Sequence, residues 1–285
     1  MKDIREVGIL GAGTMGSGIA QVFAHKGYDV VVFDIQEESL ERSKGFIGRF
    51  NKSFIKREQM TEAESEEMIE NIKFTSALED LANCDLIVEA IVEILNVKKD
   101  VFSNLDRICK GETIFATNTS SLSITEIASA TNRPDQFIGM HFFNPVPRME
   151  LVEVINAITT SEETKEAIME TSRKLGKTPV EVEEAPGFIV NRVLIPFINE
   201  GIEILSAGLA SAEDIDTAIK FGANHPMGPL ELGDLIGLDV CLNIMEVLYN
   251  GFDDEKYRPH PLLRKMVAAN RLGRKTGRGF YEYNK

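Results

Sequence analysis

The sequence predicts a two-part chain, an α/β doubly wound sheet followed by an all-helical C-terminal domain. Three observations carry that prediction. Short apolar runs of β-branched character alternate with helix-like segments through the first two thirds of the 285 residues, the pattern of a parallel sheet with crossover helices. A glycine-rich turn, Gly11-Ala12-Gly13-Thr14-Met15-Gly16, follows the first run and opens a helix. After Pro186-Gly187 the runs stop and long apolar helical stretches take over.

The predicted strands are residues 7–10, 30–35, 86–91, 113–117, 137–143 and 151–155, each a short apolar run. Residues 17–26 form the helix after the glycine turn, and 94–108 and 162–175 carry apolar residues at helical spacing among charges. Residues 38–74 break the alternation, being helical in spacing and too long for one crossover. Thr61 followed by Glu64 has the form of a capping box that starts a second helix, so this segment is a helical hairpin inserted after the second strand. Helices are then expected at 188–205, 214–221, 230–248 and 262–270. The domains are accordingly residues 1–187 and 188–285. Ile202, Ile204 and Leu205, and again Leu238, Val240 and Leu242, leave these late helices little polar surface. A helix apolar all round must be buried in its own domain or in a partner, and a homodimer through this domain is expected.

Composition narrows the function. A net charge of -14 argues against nucleic acid as a partner, because such binding needs Lys and Arg to displace counterions from phosphates. Cys84, Cys109 and Cys241 are widely spaced with no CxxC pair, which indicates neither a disulfide framework nor a zinc site, and no metal is expected. No apolar run approaches the roughly 20 residues of a membrane span, and the charged start runs straight into the first strand. A cytoplasmic protein without membrane association is expected.

In the glycine turn, Gly11 permits the tight bend, Gly13 lets the backbone approach a pyrophosphate, and Gly16 lets helix and strand pack closely, with the helix N-terminus facing the phosphates. Asp34 stands 23 residues after Gly11 at the end of the next run, where a carboxylate accepts hydrogen bonds from the adenine ribose hydroxyls. Ile35-Gln36-Glu37-Glu38 contain no base to receive a 2′-phosphate. The combination predicts a Rossmann-like domain that binds NAD rather than NADP.

Hydride transfer from a secondary alcohol needs a base for the hydroxyl proton, and His titrates near neutrality. Of His25, His141, His225 and His260, only His141 ends a strand of the nucleotide sheet, where ligands collect. Twelve residues later Glu153 sits in Leu151-Val-Glu-Val-Ile, a carboxylate in a strand otherwise built for burial. Pairing with His141 would satisfy it and set the imidazole's tautomer. Polar Asn118 and Ser120 follow the strand at 113–117 and reach the ligand crevice, or else cap the helix beginning at Ile124. From Arg42 to Arg57 there are six bases and no acid; Arg49, Lys52 and Lys56 share a helix face through spacings of three and four, either as a solvated face or as a site for phosphates.

His141-Phe-Phe-Asn-Pro-Val-Pro-Arg-Met-Glu-Leu-Val-Glu153 resembles the signature of the 3-hydroxyacyl-CoA dehydrogenases. Asn118-Thr-Ser120-Ser121-Leu, Pro186-Gly-Phe-Ile-Val-Asn191-Arg, His225-Pro-Met-Gly-Pro-Leu-Glu-Leu-Gly-Asp234 and Gly277-Arg-Gly-Phe-Tyr match in order along nearly the whole chain. The resemblance implies His141 and Glu153 as a catalytic pair, with Ser120 and Asn191 hydrogen-bonding the substrate near its reacting oxygen. It implies Asn118 at the nicotinamide side and NAD contacts from Glu93 and Lys98, for which a surface salt bridge is the alternative. It implies an acyl-CoA thioester substrate, the pair (S)-3-hydroxybutyryl-CoA and acetoacetyl-CoA, with the hairpin holding the CoA arm through Lys52, Ser53 and Lys56 and the acyl end bound in a cleft between the domains. Two rivals remain: an NAD-dependent dehydrogenase of another small hydroxy acid or sugar phosphate, and a non-enzymatic NAD-binding member of the family.

Overall fold

Eight strands of the N-terminal unit are stitched into one sheet in the computed structural model, which describes residues 4–283. They are β1 (Glu6–Leu10), β2 (Asp29–Phe33), β3 (Ile72–Thr75), β4 (Leu86–Glu89), β5 (Ile114–Thr117), β6 (Phe137–Phe142), β7 (Leu151–Asn156) and β8 (Thr178–Glu183), in the order β3-β2-β1-β4-β5-β6-β7-β8. The helices of this unit are α1 (Thr14–His25), α2 (Glu37–Ile55), α3 (Glu62–Glu70), α4 (Leu95–Ile108), α5 (Ile124–Ala128) and α6 (Glu162–Lys174). Two compact units divide the chain, Met1–Glu184 and Ala185–Lys285. None of the described helices is long and apolar enough to cross a membrane.

Helices on both faces explain why β1, β4, β5 and β6 read as continuous apolar runs. Val7, Ile9, Val30, Val32, Leu86 and Val88 join one core with Ile19 and Phe23 of α1, Ile47 of α2 and Ile168 of α6. The alternate positions face the other way, where the rings of Phe115 and Phe137 meet Phe102 of α4 at centroid distances of 5.4 and 4.6 Å. All three are wholly buried, and each such side chain contributes about 1.5–3 kcal/mol from burial alone.

Several expectations are corrected. The sheet is not all parallel: β7 runs antiparallel to β6, whereas the other neighbours are parallel. The inserted hairpin ends at Glu70, and Phe74 belongs to β3, an edge strand in which only Ile72 is buried, so no apolar run marks it. β8 went unrecognised because it lies at the other edge with most residues exposed and Pro179 inside it. The second run ends at Phe33, since Ile35 is 80% exposed. The capping box is present as expected, Thr61 Oγ1 accepting from Glu64 N and Thr61 N donating to Glu64 Oε2. A buried polar ladder docks the hairpin: Ser17 to Ser43 (2.8 Å), Gln21 Nε2 to Asn51 Oδ1 and Asn51 Nδ2 to Ser65 (both 2.9 Å).

The second unit is helical: α7 (Val190–Ser206), α8 (Ala212–Gly222), α9 (Pro229–Ile236), α10 (Leu238–Phe252) and α11 (Pro261–Ala268). The single helix expected over 230–248 is two, broken at Gly237, whose φ of 104° no helix admits. Its core includes Ile198, Ile202, Leu230, Leu238, Cys241, Met245 and Leu248. Two motifs distant in sequence meet here, because the buried Asp234 carboxylate accepts from Phe280 N, Tyr281 N and the Tyr283 hydroxyl at 3.0, 3.0 and 3.1 Å. A Cβ on Gly279 would lie 1.9 Å from Asp234 Oδ1, so that position must be bare.

Candidate active site

Sheet register assembles the first pair. His141 and Glu153 are direct partners across antiparallel β6 and β7, where facing Cβ atoms lie about 4.5–5.5 Å apart. His141 Nδ1 stands 2.8 Å from Glu153 Oε2, with the two residues 6% and 1% exposed. The Phe143 ring lies 4.5 Å from the imidazole, centroid to centroid. The other histidines have different work. His25 stacks on Phe54, and burial and the neighbouring Lys26 hold its pKa below the ordinary value; His225 lies against Phe197; His260 Nδ1 accepts from Leu262 N at the start of α11.

The glycine turn is built as a nucleotide site requires. Gly11 has φ of +95°, and a Cβ on Gly16 would lie 1.8 Å from Gly11 O, so both must be glycine. A Cβ on Gly13 would meet nothing within 4 Å, which leaves room for a phosphate against the backbone. The N-terminus of α1, bearing Thr14 and Met15, has no side-chain cap and no acid in its first turn, so its N–H groups and dipole favour an anion. Asp34 follows β2; Oδ2 accepts from Ala12 N and Oδ1 from Gln36 N, both at 2.9 Å. Each carboxylate oxygen keeps capacity for a further donor, so these residues fit a dinucleotide with free ribose hydroxyls.

Between these parts lies a cluster that sequence reasoning missed in its central member. Glu89, the last residue of β4, is wholly buried. Its Oε1 accepts from Lys98 Nζ (2.5 Å) and Ile91 N (2.7 Å), and its Oε2 from Thr117 Oγ1 (2.6 Å). The salt bridge between Lys98 and Glu93 is present, Nζ to Oε2 at 3.2 Å, with the lysine 1% and the Glu93 side chain 38% exposed. Glu93 Oε1 in turn accepts from Thr119 Oγ1 (2.6 Å), Ser120 N (2.9 Å) and Ser120 Oγ (3.3 Å). Burial pushes the Glu93 carboxyl up, but the Lys98 ammonium and these donors outweigh it and hold the group below its ordinary pKa. The signal for Glu89 was present, an acid inside a run predicted as a buried strand, the same feature that singled out Glu153.

Asn118 donates its N–H to Glu89 O and accepts from Phe142 N through Oδ1, both at 2.8 Å, which ties it beside His141. The helix at Ile124 is capped by Ser123, not by Asn118 or Ser120. Lys52 lies in the last turn of α2, Lys56 is its C-cap, and both are exposed. Ser53 lines a cavity of about 150 Å³ with Phe46, Arg49, Phe50 and Arg148; the Arg148 guanidinium lies over the Phe50 ring at 5.5 Å. Asn191 belongs to the helical unit, as the second residue of α7.

Two family models match the chain, the 3-hydroxyacyl-CoA dehydrogenase NAD binding domain over residues 6–185 and the 3-hydroxyacyl-CoA dehydrogenase C-terminal domain over residues 187–283. The 3-hydroxybutyryl-CoA dehydrogenase of Clostridioides difficile is 54% identical over 280 residues, covering 98% of this chain and 100% of that protein. The mitochondrial hydroxyacyl-coenzyme A dehydrogenase of Homo sapiens is 46% identical over 288 residues, covering 98% of this chain and 91% of its own. The crystal structure of (S)-3-hydroxybutyryl-CoA dehydrogenase from Ralstonia eutropha is similar with a TM-score of 0.97 at 49% identity, covering 99% of this chain and 100% of that one.

Proposed function

This chain belongs to the 3-hydroxyacyl-CoA dehydrogenase family, and from that premise we propose how its residues divide the reaction among them. It is an NAD-dependent oxidoreductase that interconverts (S)-3-hydroxybutyryl-CoA and acetoacetyl-CoA. When bound, NAD supplies or accepts the hydride. His141 donates a proton to the 3-oxo oxygen in reduction and takes it from the hydroxyl in oxidation. Glu153 holds the imidazole in the required tautomer through Nδ1 and stabilises the imidazolium. The observation that carries this pair is the 2.8 Å contact between a histidine at the C-terminal end of a sheet strand and a carboxylate 1% exposed.

In this proposal Gly11, Gly13, Thr14, Met15 and Gly16 receive the pyrophosphate and Asp34 the ribose hydroxyls, while Glu93, Lys98, Asn118 and Ser120 form the nicotinamide side. Ser120 and Asn191 hydrogen-bond the substrate near its reacting oxygen. Lys52, Ser53 and Lys56 hold the CoA arm, supported by the basic cavity that Ser53 shares with Arg49 and Arg148. The division of labour follows the domains, with residues 1–187 binding the cofactor and 188–285 the site of homodimerisation. Val193, Leu209 and Phe221 of the helical unit, 68%, 77% and 83% exposed, support an apolar interface there. Three buried free cysteines agree with a reducing, cytoplasmic setting.

The test is NADH oxidation with acetoacetyl-CoA and with longer 3-ketoacyl-CoA substrates. Highest kcat/KM on acetoacetyl-CoA is expected, and preference for a long chain would refute the short-chain assignment. In the same assay Lys52→Ala/Lys56→Ala should raise the KM for acetoacetyl-CoA at low salt, with the effect fading as salt screens the phosphates. An unchanged KM at low ionic strength removes these lysines from the CoA site.

A further inference from the structure

Neither the dyad nor the cofactor contacts assign a role to Glu89, the wholly buried acid at the centre of the cluster. Its contacts close a ring. Glu89 Oε2 takes the Thr117 hydroxyl, whose oxygen accepts Thr119 N at 3.2 Å; the Thr119 hydroxyl donates to Glu93; Glu93 meets Lys98; and Lys98 returns to Glu89 Oε1. Within this ring sits Asn118, and Ser120 hangs from it through Glu93.

Register relates the ring to the dyad. Glu89 pairs with Thr117, Thr117 with Gly139, and His141 lies two residues beyond Gly139. Side chains two apart on a strand share a face, so Glu89, Thr117 and His141 lie on one face of the sheet, the ring's row about 6.6 Å before the imidazole along the strands. On its other flank the residue after Glu89 carries the glycine turn: Ala90 N donates to Leu10 O at 2.7 Å, and a Cβ on Gly11 would lie 2.6 Å from Ala90 O. Glu89 therefore stands where the glycine turn and the Asn118–Ser120 segment meet.

We propose that Glu89 is a positioning residue for the cofactor, setting the Asn118–Ser120 segment and the Glu93 carboxylate through its bonds to Thr117 and Lys98. This rests on the proposal that Glu93, Asn118 and Ser120 form the nicotinamide side. A carboxylate is needed because Glu89 must accept three donors at once, one of them an ammonium, which an amide cannot do without turning its own N–H groups toward them. The length of Glu is needed because Oε1 and Oε2 reach α4 and β5 simultaneously.

The experiment measures NADH affinity by fluorescence titration, together with melting temperature, in the full-length protein and four variants. Glu89→Gln removes the charge; Glu89→Asp keeps the charge beside Lys98 but loses the reach; Thr117→Val opens the ring without altering charge; Glu93→Gln tests the cofactor site itself. Glu89→Gln and Glu89→Asp should each weaken NADH binding by about tenfold or more, the scale of one charge-assisted hydrogen bond, and Thr117→Val should weaken it by about threefold while lowering the melting temperature by a few degrees, since a buried carboxylate oxygen loses its donor. Wild-type affinity in Glu89→Asp would mean that Glu89 only neutralises Lys98, and overturns the proposal. So does a Thr117→Val protein that binds NADH like wild type. If Glu93→Gln also binds NADH normally, the nicotinamide-side assignment itself fails; if Glu93→Gln is weak and the Glu89 variants are not, only the role of Glu89 fails.

Discussion

Replacing Glu153 by Gln tests the catalytic pair most directly, since it keeps the shape of a side chain 1% exposed and removes only its charge. Glu153 Oε2 lies 2.8 Å from His141 Nδ1, held there by the β6–β7 register. A hydrogen bond to a charged group contributes about 1.5–3 kcal/mol, and that support is needed as the imidazolium gives up its proton or the imidazole gains one. At about 1.36 kcal/mol per factor of ten, Glu153→Gln should lower kcat by about 10- to 150-fold. His141→Gln, which removes the proton-transfer group, should lower it by about 100- to 10,000-fold. Residues acting as one unit are not additive, so the double variant should be little slower than His141→Gln. The assay is kcat for acetoacetyl-CoA reduction in all four proteins, with NADH affinity as a check on folding. Near-normal turnover in Glu153→Gln, or losses that multiply in the double variant, would refute the pair.

Two further outcomes follow from the geometry. Asp34→Ala should weaken NAD binding by removing the ribose acceptor, and Asp34→Arg should shift preference toward NADP, because Arg pairs with the 2′-phosphate that a carboxylate repels; a wild-type protein that prefers NADPH would contradict this role. Burial pushes the Asp106 carboxyl up, but Asn132 N–H, the Arg133 guanidinium and the Asn132 amide more than offset it, so its pKa lies below the ordinary value. A lowered folded-state pKa stabilises the protein above the unfolded value of about 3.9 and loses that contribution as pH falls through the folded one. The melting temperature of Asp106→Asn should therefore fall below wild type at pH 7 and converge on it in acid, and a gap that widens in acid would contradict the assignment.

Much of the site was legible because its signals are local. The turn Gly11 to Gly16 and the acid at Asp34 lie on consecutive elements, and their spacing reports βαβ geometry directly. The capping box at Thr61 and Glu64 depends on one helical turn. Glu153 stood out as a charge in a strand patterned for burial, and the sequence named His141 as its partner without giving the register that brings the two together. A one-residue slip between β6 and β7 would send its carboxylate to the opposite face. Tertiary structure supplied the register and the 2.8 Å contact with His141, and it alone closed the ring in which Glu89 meets Lys98 nine residues on and Thr117 28 residues on. β3 and β8 escaped because an edge strand lacks burial on both faces, so no apolar run marks it. The break at Gly237 escaped because apolar spacing continues through it from α9 to α10, and only the backbone φ of 104° reveals that the chain turns there. Local periodicity and turn chemistry are written in neighbouring residues, whereas pairing register and the burial of a charge depend on which distant strand arrives alongside.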